Sequence, residues 1–551
     1  MAELTLAAIE AAETIMGVRY TPEERAQMLD NLEGQIAGAV LRRQSAFPND
    51  LPMASRFDPR LAGFAPPRQP ARGHWALPDP GPLPSDDTDI AFAPLTALAA
   101  WFKAGQLTSL RLTEIYLDRI ARHAAALECF VTVTPELARA EAAAADQLFA
   151  AGVWLGPLHG MPYGLKDLFD TAGITTSWGA TPFRDRVPEG DARIVTMLRR
   201  SGAVLLGKTT LGALAYGDIW FGGKTRNPFN IQEGASGSSA GSASATAAGL
   251  CGFSIGTETL GSITSPSQRC GTTGLRPTFG RVSRAGAMAL CWSLDKIGPI
   301  CRGVEDCALV LQAINGGDPA DRASIDMPFG FDPQAGSERL RLGYLPEAFE
   351  AGAGATEIDR AALEAARGLG VDLVELTLPD LPWGALFSIL YAEAAAAFEE
   401  LTLSDRDDML VWQTAGAWPN TFRKARFLSA VDMVQADRLR YRAMQALDAV
   451  FAEVDLMIGP FATSPMLVAS NFTGHPCLHL RAGFADLPAR DDPSLKDGAL
   501  RLDEPVPDAA PRRVPQGISL WAGLFDEARL VGFGRRLEAA LDVAGERPDL
   551  E

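Results

Sequence analysis

Apolar and polar positions alternate along the chain in two rhythms. Over residues 2–16 and 22–42 apolar side chains recur at helical spacing, which predicts a helical hairpin. Thr21 and Pro22 open its second arm, the threonine as N-cap and the proline at the first helical position. Residues 45–90 lose the rhythm and carry ten prolines, from Pro48 to Pro84, so they read as an extended connector. Periodicity resumes near Thr96. Helices are predicted at 96–104, 109–123, 136–151 (closed by Gly152) and 191–201. Strands are predicted at 129–133, 203–207, 340–345, 371–377, 456–460 and 518–521. A helix at 356–369, a mainly helical stretch at 384–450, a polar Pro-rich loop at 486–515 and a closing helix at 526–544 complete the pattern. This alternation predicts an α/β fold, a mixed and largely parallel central sheet covered by helices. The expected organisation is a helical extension at 1–45, a connector at 46–94 and one main domain at 95–551.

Composition narrows the classes. Hydrophobic residues make up 47% of the 551 and charged residues 21%, a globular balance. A net charge of −18 argues against a direct nucleic-acid partner. The seven cysteines, at 129, 251, 270, 291, 301, 307 and 477, form no C-x-x-C pair, which argues against a disulfide framework or structural zinc. Five histidines leave few candidates for a histidine-based triad. The acidic N-terminus lacks the pattern of a signal peptide, and no apolar run reaches the roughly 18 residues of a membrane span. A cytoplasmic protein without a membrane partner is the default expectation.

One stretch breaks the rhythm, the Gly/Ser/Ala-rich 234–249 followed by the hydroxyl-rich turn 256–263. By composition alone 234–249 suits a flexible linker. Its apolar flanks and the α/β pattern on both sides favour close backbone packing instead. In the second half, a serine beside a Gly-containing turn can present its hydroxyl with backbone N–H groups pointing the same way. Lys166 ends a constrained, mostly apolar segment from Gly156, where burial would lower its pKa and make it a base. Lys208, Lys224 and Lys296 have no such context and are expected to be solvated surface charges.

Four ordered segments, GPLHGMPYGLKD (156–167), SGSSAGS (236–242), GTETLGSITSP (256–266) and CGTTGLRPT (270–278), resemble the motifs of the amidase signature family. The likeness is strong over about 95–315, with a signature core at about 156–315, and weaker toward 472–476 and 523–528. The resemblance implies an amidohydrolase of linear amides, with esters or carbamates as further substrates, working without metal or organic cofactor. It implies Ser262 as nucleophile, Ser238 as a bridging serine after a cis peptide bond, and Lys166 as the base. The backbone N–H groups of Thr259, Leu260, Gly261 and Ser262 would form the oxyanion hole. Trp178, Trp220, Phe221, Trp412 and Tyr441 are candidates for an apolar substrate pocket, or for core packing. The expected partner is a small-molecule amide, with a homodimer as the possible assembly.

The sequence departs from the family pattern at Ala240, Glu258, Leu260 and Thr264. Thr264 stands where many members carry arginine, which makes a carboxylate-bearing substrate such as free glutamine less expected unless another arginine substitutes. Three rivals stay open: the glutaminase subunit of a tRNA-dependent amidotransferase, a cysteine nucleophile at Cys251 or Cys270, and a non-catalytic scaffold.

Overall fold

A computed structural model describes residues 4–29, 32–68, 77–331, 339–461, 463–490 and 510–550. Its centre is an 11-stranded sheet. In chain order the strands are β1 (Phe130–Val133), β2 (Pro162–Lys166), β3 (Val204–Thr209), β4 (Phe253–Glu258), β5 (Thr273–Arg276), β6 (Lys296–Cys301), β7 (Arg341–Tyr344), β8 (Asp372–Glu375), β9 (Leu456–Pro460), β10 (Cys477–Leu487) and β11 (Arg512–Ala522). Across the sheet they run β1-β3-β2-β4-β6-β5-β10-β11-β9-β7-β8. The α/β class and the mixed sheet are as expected. Two parallel wings, β3-β2-β4 and β9-β7-β8, flank an antiparallel middle, and β1 closes one edge antiparallel. Four neighbouring pairs are therefore parallel and six antiparallel.

β2, β3 and β4 are buried along their whole length, although the sequence predicts only β3 as a strand. Their register fixes the site. Gly164 and Leu165 lie beside Ser254 and Ile255, and Lys166 lies beside Thr209. Lys166 and Glu258 thus end adjacent parallel strands at one edge of the sheet, where open α/β sheets bind their ligands.

The small-residue stretch is a packed helix, Ala240–Ala247, buried at every position. A Cβ on Gly241 would sit 2.4 Å from both Cys129 O and Thr210 N. Only small residues let this helix lie so close to the strands, so its composition serves packing rather than flexibility.

The N-terminal hairpin has helices at Leu6–Met16 and Pro22–Leu29, and a third at Leu32–Arg43. Thr21 and Glu24 cap the second reciprocally, Glu24 N donating to Thr21 Oγ1 at 3.2 Å and Thr21 N to Glu24 Oε2 at 2.7 Å. Arg25 Nε donates to Glu13 Oε1 at 2.6 Å and ties the arms together. The connector lies against the main body. Phe57 meets Phe279 at 5.0 Å and Phe64 meets Phe525 at 5.9 Å, while Arg42, on the third helix before it, pairs with Glu399 at 2.6 Å. The connector's end is helical over Asp87–Phe92.

Toward the C-terminus β10 and β11 pair from Cys477–Trp521 to Leu487–Arg512. They run further into the expected 486–515 loop than the polar composition there suggested. Most of that loop, 491–509, lies outside the described residues.

Candidate active site

Lys166 is fully buried at the end of β2. Its Nζ donates to Ser238 Oγ at 2.8 Å, Ser239 Oγ at 2.9 Å and Thr257 Oγ1 at 2.9 Å, with Thr257 O at 3.4 Å. No carboxylate touches it among the described residues. Burial therefore pushes its pKa well below the usual lysine value, against the more distant charges of Asp295 and Glu258.

Ser238 is held by a tight turn. The Gly237–Ser238 peptide bond is cis, and Ser236 sits at φ 60°. A Cβ on Gly237 would fall 1.8 Å from Gly217 O, so only glycine fits. Ser236 N donates to the buried Asp218 Oδ2 at 2.9 Å, and Ser236 Oγ pairs with Ser265 Oγ at 2.7 Å. Ser239 N donates to Ser262 O at 3.1 Å. The turn carrying Ser238 is thereby fastened directly to the loop carrying Ser262.

That loop leaves β4 after Glu258 and enters the helix Thr264–Cys270. Ser262 is 8% exposed, and its Oγ makes no hydrogen bond among the described residues. The N–H groups of Leu260, Gly261 and Ser262 likewise donate to no acceptor among them. Gly261 takes φ 88°, which favours glycine there. Thr259 Oγ1 donates to Asp295 Oδ1 at 2.6 Å.

Glu258 organises the loop, a role its place in the sequence did not reveal. Its Oε2 accepts from Ile263 N at 2.9 Å, Thr264 N at 2.9 Å and Thr264 Oγ1 at 3.1 Å. Its Oε1 accepts from Arg276 Nη1 at 2.7 Å and Asn471 Nδ2 at 2.9 Å. Burial opposes its charge, but Arg276 and these donors prevail and hold its pKa down to about 2. Thr264, where the family pattern has arginine, is buried and turned onto Glu258, while Arg276 supplies the local cation.

Lys208 and Lys296 are buried, not solvated. Both lie on inner strands, β3 and β6, where every position is enclosed. Lys208 Nζ reaches Asp167 Oδ1 at 3.4 Å and donates to Phe169 O and Thr176 Oγ1, each at 2.7 Å. Lys296 donates to Leu294 O. Lys224 is half-buried. Cys251 and Cys270 are fully enclosed, and burial raises both thiols above the ordinary range, which disfavours a thiolate nucleophile.

A cavity of about 270 Å³ opens beside Thr257 and Thr259. Its walls include Leu168, Ala215, Met288, Trp292, Asp295 and, from the connector, Asp50. None of the five aromatic candidates lines it. Trp178 packs on Phe183 at 4.5 Å beneath Arg186, and Trp220 meets Phe221 edge-on at 4.9 Å. Trp412 stacks on Tyr216 at 5.1 Å, beside Gly217, whose carbonyl packs against Gly237. Tyr441 is 50% exposed on the helix Ala430–Glu453. Trp292 and Asp50 carried no sequence signal, because nothing local ties them to the motifs.

The Amidase family model matches residues 111–530. The A-type subunit of the glutamyl-tRNA(Gln) amidotransferase from Synechococcus sp. (strain RCC307) is 33% identical over 493 residues, covering 82% of this chain and 99% of that protein. Its counterpart of the same name in Roseiflexus sp. (strain RS-1) is 34% identical over 475 residues, covering 81% and 96%. Among solved structures, the native peptide amidase from Stenotrophomonas maltophilia superposes with a TM-score of 0.69 at 28% identity, covering 84% of this chain and all of that one. These relatives correct one expectation. A small-molecule amide as the sole partner, with no nucleic-acid connection, does not suit relatives that are named subunits of an enzyme of glutamyl-tRNA. Among the described residues no helix is long and apolar enough to cross a membrane. On the family match and the full-length relatives together, this chain belongs to the amidase signature family of hydrolases.

Proposed function

We propose that the chain opens a carboxamide through an acyl-enzyme on Ser262, and that the amide is that of glutamine. In this reading it serves as the amide-donating component of an amidotransferase, the role the relatives' name carries. The observation that supports it most is the buried, carboxylate-free contact of Lys166 Nζ with Ser238 Oγ at 2.8 Å. A lysine kept neutral there accepts the Ser238 proton, and Ser238 accepts the proton of Ser262. Ser262 Oγ then forms a bond to the amide carbon. The carbonyl oxygen becomes an oxyanion facing the N–H groups of residues 259–262. Collapse breaks the C–N bond, and the departing nitrogen takes back the proton from Lys166 through Ser238 as ammonia. Water then attacks the ester, gives up a proton along the same path, and the carboxylic acid leaves as Ser262 regains its hydrogen.

Ammonia release from glutamine, measured on the chain as purified with whatever other chains accompany it, tests this reading. Wild type is expected to release ammonia and Ser262→Ala to release none. Equal release by Ser262→Ala overturns the nucleophile. A second reading, hydrolysis of a peptide or other carboxamide, is favoured by the full-length likeness to the peptide amidase. Turnover of a peptide amide with none of glutamine decides for it.

A further inference from the structure

The loop of residues 259–262 leaves β4 beside the first residues of β6. In the register of these antiparallel strands Lys296 lies opposite Glu258, so Asp295 and Lys296 stand where the loop begins. Both are buried. Thr259, the first residue past Glu258 and itself 5% exposed, meets both of them. Its hydroxyl donates to Asp295 Oδ1 at 2.6 Å. Its carbonyl oxygen accepts from Lys296 Nζ at 3.5 Å, the long limit of such a bond, while the same Nζ donates to Leu294 O. Two residues back on β4, the hydroxyl of Thr257 accepts from Lys166 Nζ at 2.9 Å, so this strand end carries both the base's contact and the start of the oxyanion loop.

The grip on Thr259 is braced from behind. Asp295 Oδ2 accepts from Leu290 N at 2.8 Å and from Cys291 N at 3.0 Å. Arg284 Nη1 donates to Trp292 O at 2.7 Å. Glu393 accepts from Ser293 N at 2.9 Å and from Ser293 Oγ at 2.6 Å. The 290–295 turn is thereby held along its length, and Asp295 with it. The consequence falls on one peptide plane. Among the described residues the only cis peptide bond is Gly237–Ser238, so Thr259–Leu260 is trans. In a trans peptide the C=O and the N–H point in opposite directions. With Thr259 O turned to Lys296, the Leu260 N–H points away from it and keeps its hydrogen unspent.

We infer that Asp295 and Lys296 are positioning residues of the oxyanion hole, holding Thr259 by its hydroxyl and by its carbonyl and so aiming the Leu260 N–H at the developing oxyanion. Neither touches the reacting atoms. The inference rests on the acyl-enzyme reading above, and not on which amide is opened. It gives a task to Lys296, a buried cation that the proton relay does not use. A donor fixed in advance costs no rearrangement when charge develops, and removing one outright costs about a hundred- to a thousandfold in rate. Loosening one by releasing a single hold should cost less.

The active ester 4-nitrophenyl acetate tests this whatever the natural amide. Ser262 Oγ bonds to the acetyl carbon, the bond to oxygen breaks with its electron pair leaving on 4-nitrophenolate, and the serine proton passes through Ser238 to Lys166. The nitrophenolate burst gives the acylation rate, and mass spectrometry locates the acetyl group. Thr259→Val and Asp295→Asn are each expected to slow acylation about thirtyfold, with the half-saturating ester concentration within about twofold of wild type. Asp295 acts through the Thr259 hydroxyl, so the double variant should be no slower than the slower single one. Thr259→Ser keeps the hydroxyl and should come within about threefold of wild type. Lys296→Met releases the other hold, so its loss should multiply with that of Thr259→Val. Where Asp295→Asn does not fold, Thr259→Val against Thr259→Ser decides alone. Acylation of Ser262 at the wild-type rate in Thr259→Val, or a loss in Thr259→Ser as deep as in Thr259→Val, overturns the inference and leaves the acyl-enzyme intact. Losses that multiply in the Thr259→Val, Asp295→Asn double variant remove Asp295 from the hold on Thr259. No acetyl group on Ser262 in wild type overturns the acyl-enzyme reading and the inference with it.

Discussion

Two buried lysines on neighbouring parallel strands, Lys166 on β2 and Lys208 on β3, differ in the face they take and in the neighbours they meet there. Lys166 lies beside Thr209 and Lys208 beside Leu165, so strand alternation sends the two ammonium groups to opposite faces. Both are fully enclosed, and burial lowers both pKa values. Lys208 has Asp167 at 3.4 Å, which restores part of its charge. Lys166 has only hydroxyls and a carbonyl. The same residue type at the same depth becomes a structural cation beside a carboxylate and a base beside serines. Burial alone does not mark a catalytic lysine; the chemistry of its neighbours does.

The widest separation is expected in activity. Lys166→Ala should cut kcat by about a thousandfold, in the range of a lost general base. Part of the loss should return at high pH, where hydroxide takes the proton. Lys208→Met should retain kcat within about tenfold, since it removes a cation that touches no reacting group. Steady-state ammonia release measures both. A Lys208 variant as inactive as Lys166→Ala erases the distinction, and a Lys166→Ala defect that is flat with pH removes Lys166 from the role of base.

The next separation is in stability. Asp167→Asn leaves Lys208 buried without its countercharge and should cost about 3–5 kcal/mol, read as a shift in the urea midpoint. Lys208→Met should cost less, because Asp167 keeps the Ser177 hydroxyl and N–H donors at 2.5 and 2.8 Å. Asp167 can also take up a proton when the lysine is gone, as burial already raises its pKa. Lys166→Met should move the midpoint least of the three. Asp167→Asn with an unchanged midpoint shows that Lys208 does not depend on its partner.

Glu258 joins the two kinds of effect. It holds Ile263 N and Thr264 N while paired with Arg276, so Glu258→Gln weakens charge-assisted bonds that shape the loop around Ser262. A stability loss of about 2 kcal/mol is expected, with kcat reduced more than KM is changed. Unfolding curves and kinetics on the same preparation check both. A full retention of kcat removes Glu258 from the positioning of the nucleophile.

What could be read in the sequence follows from how local each constraint is. Lys166, Ser238 and Ser262 stand in motifs dense with glycine and proline, whose backbone demands leave a visible pattern within about a dozen residues. Of the three enclosed strands the sequence predicts only β3, from the apolar run 203–207; β2 and β4, with glycines and hydroxyls among their apolar residues, are not predicted as strands. The burial of Lys208 was not legible, because a lysine within such a run interrupts the signal that marks its neighbours. The 234–249 stretch carried the composition of a linker and of a close-packed helix alike. What decides between them, Gly241 against Cys129 O and Thr210 N, is a contact between distant segments. The cavity wall at Asp50 depends on Asn49 meeting Ala289, 240 residues away, and no periodicity encodes that pairing.

The smallest expected effect is the pH dependence of stability, and its sign separates the two lysines again. A lysine whose folded pKa is lowered binds its proton less tightly in the native state than in the unfolded chain. Between that lowered value and the unfolded value of about 10.4, the unfolded state carries more protons, so stability rises with pH. Lys166 has a window of this kind, opened by burial and only partly closed by Asp295 and Glu258. Lys208 has a narrower one, because Asp167 sits against it. Within its window each lysine adds at most about 1.4 kcal/mol of stability per pH unit. Lys166→Met should therefore flatten the rise of unfolding free energy on the alkaline side, below the unfolded value of about 10.4, more than Lys208→Met does. Chemical denaturation of wild type and both variants at several pH values reads the slopes directly. Equal flattening by the two variants means that Asp167 does nothing to hold the charge of Lys208, and the contrast between the two lysines would then rest on kinetics alone.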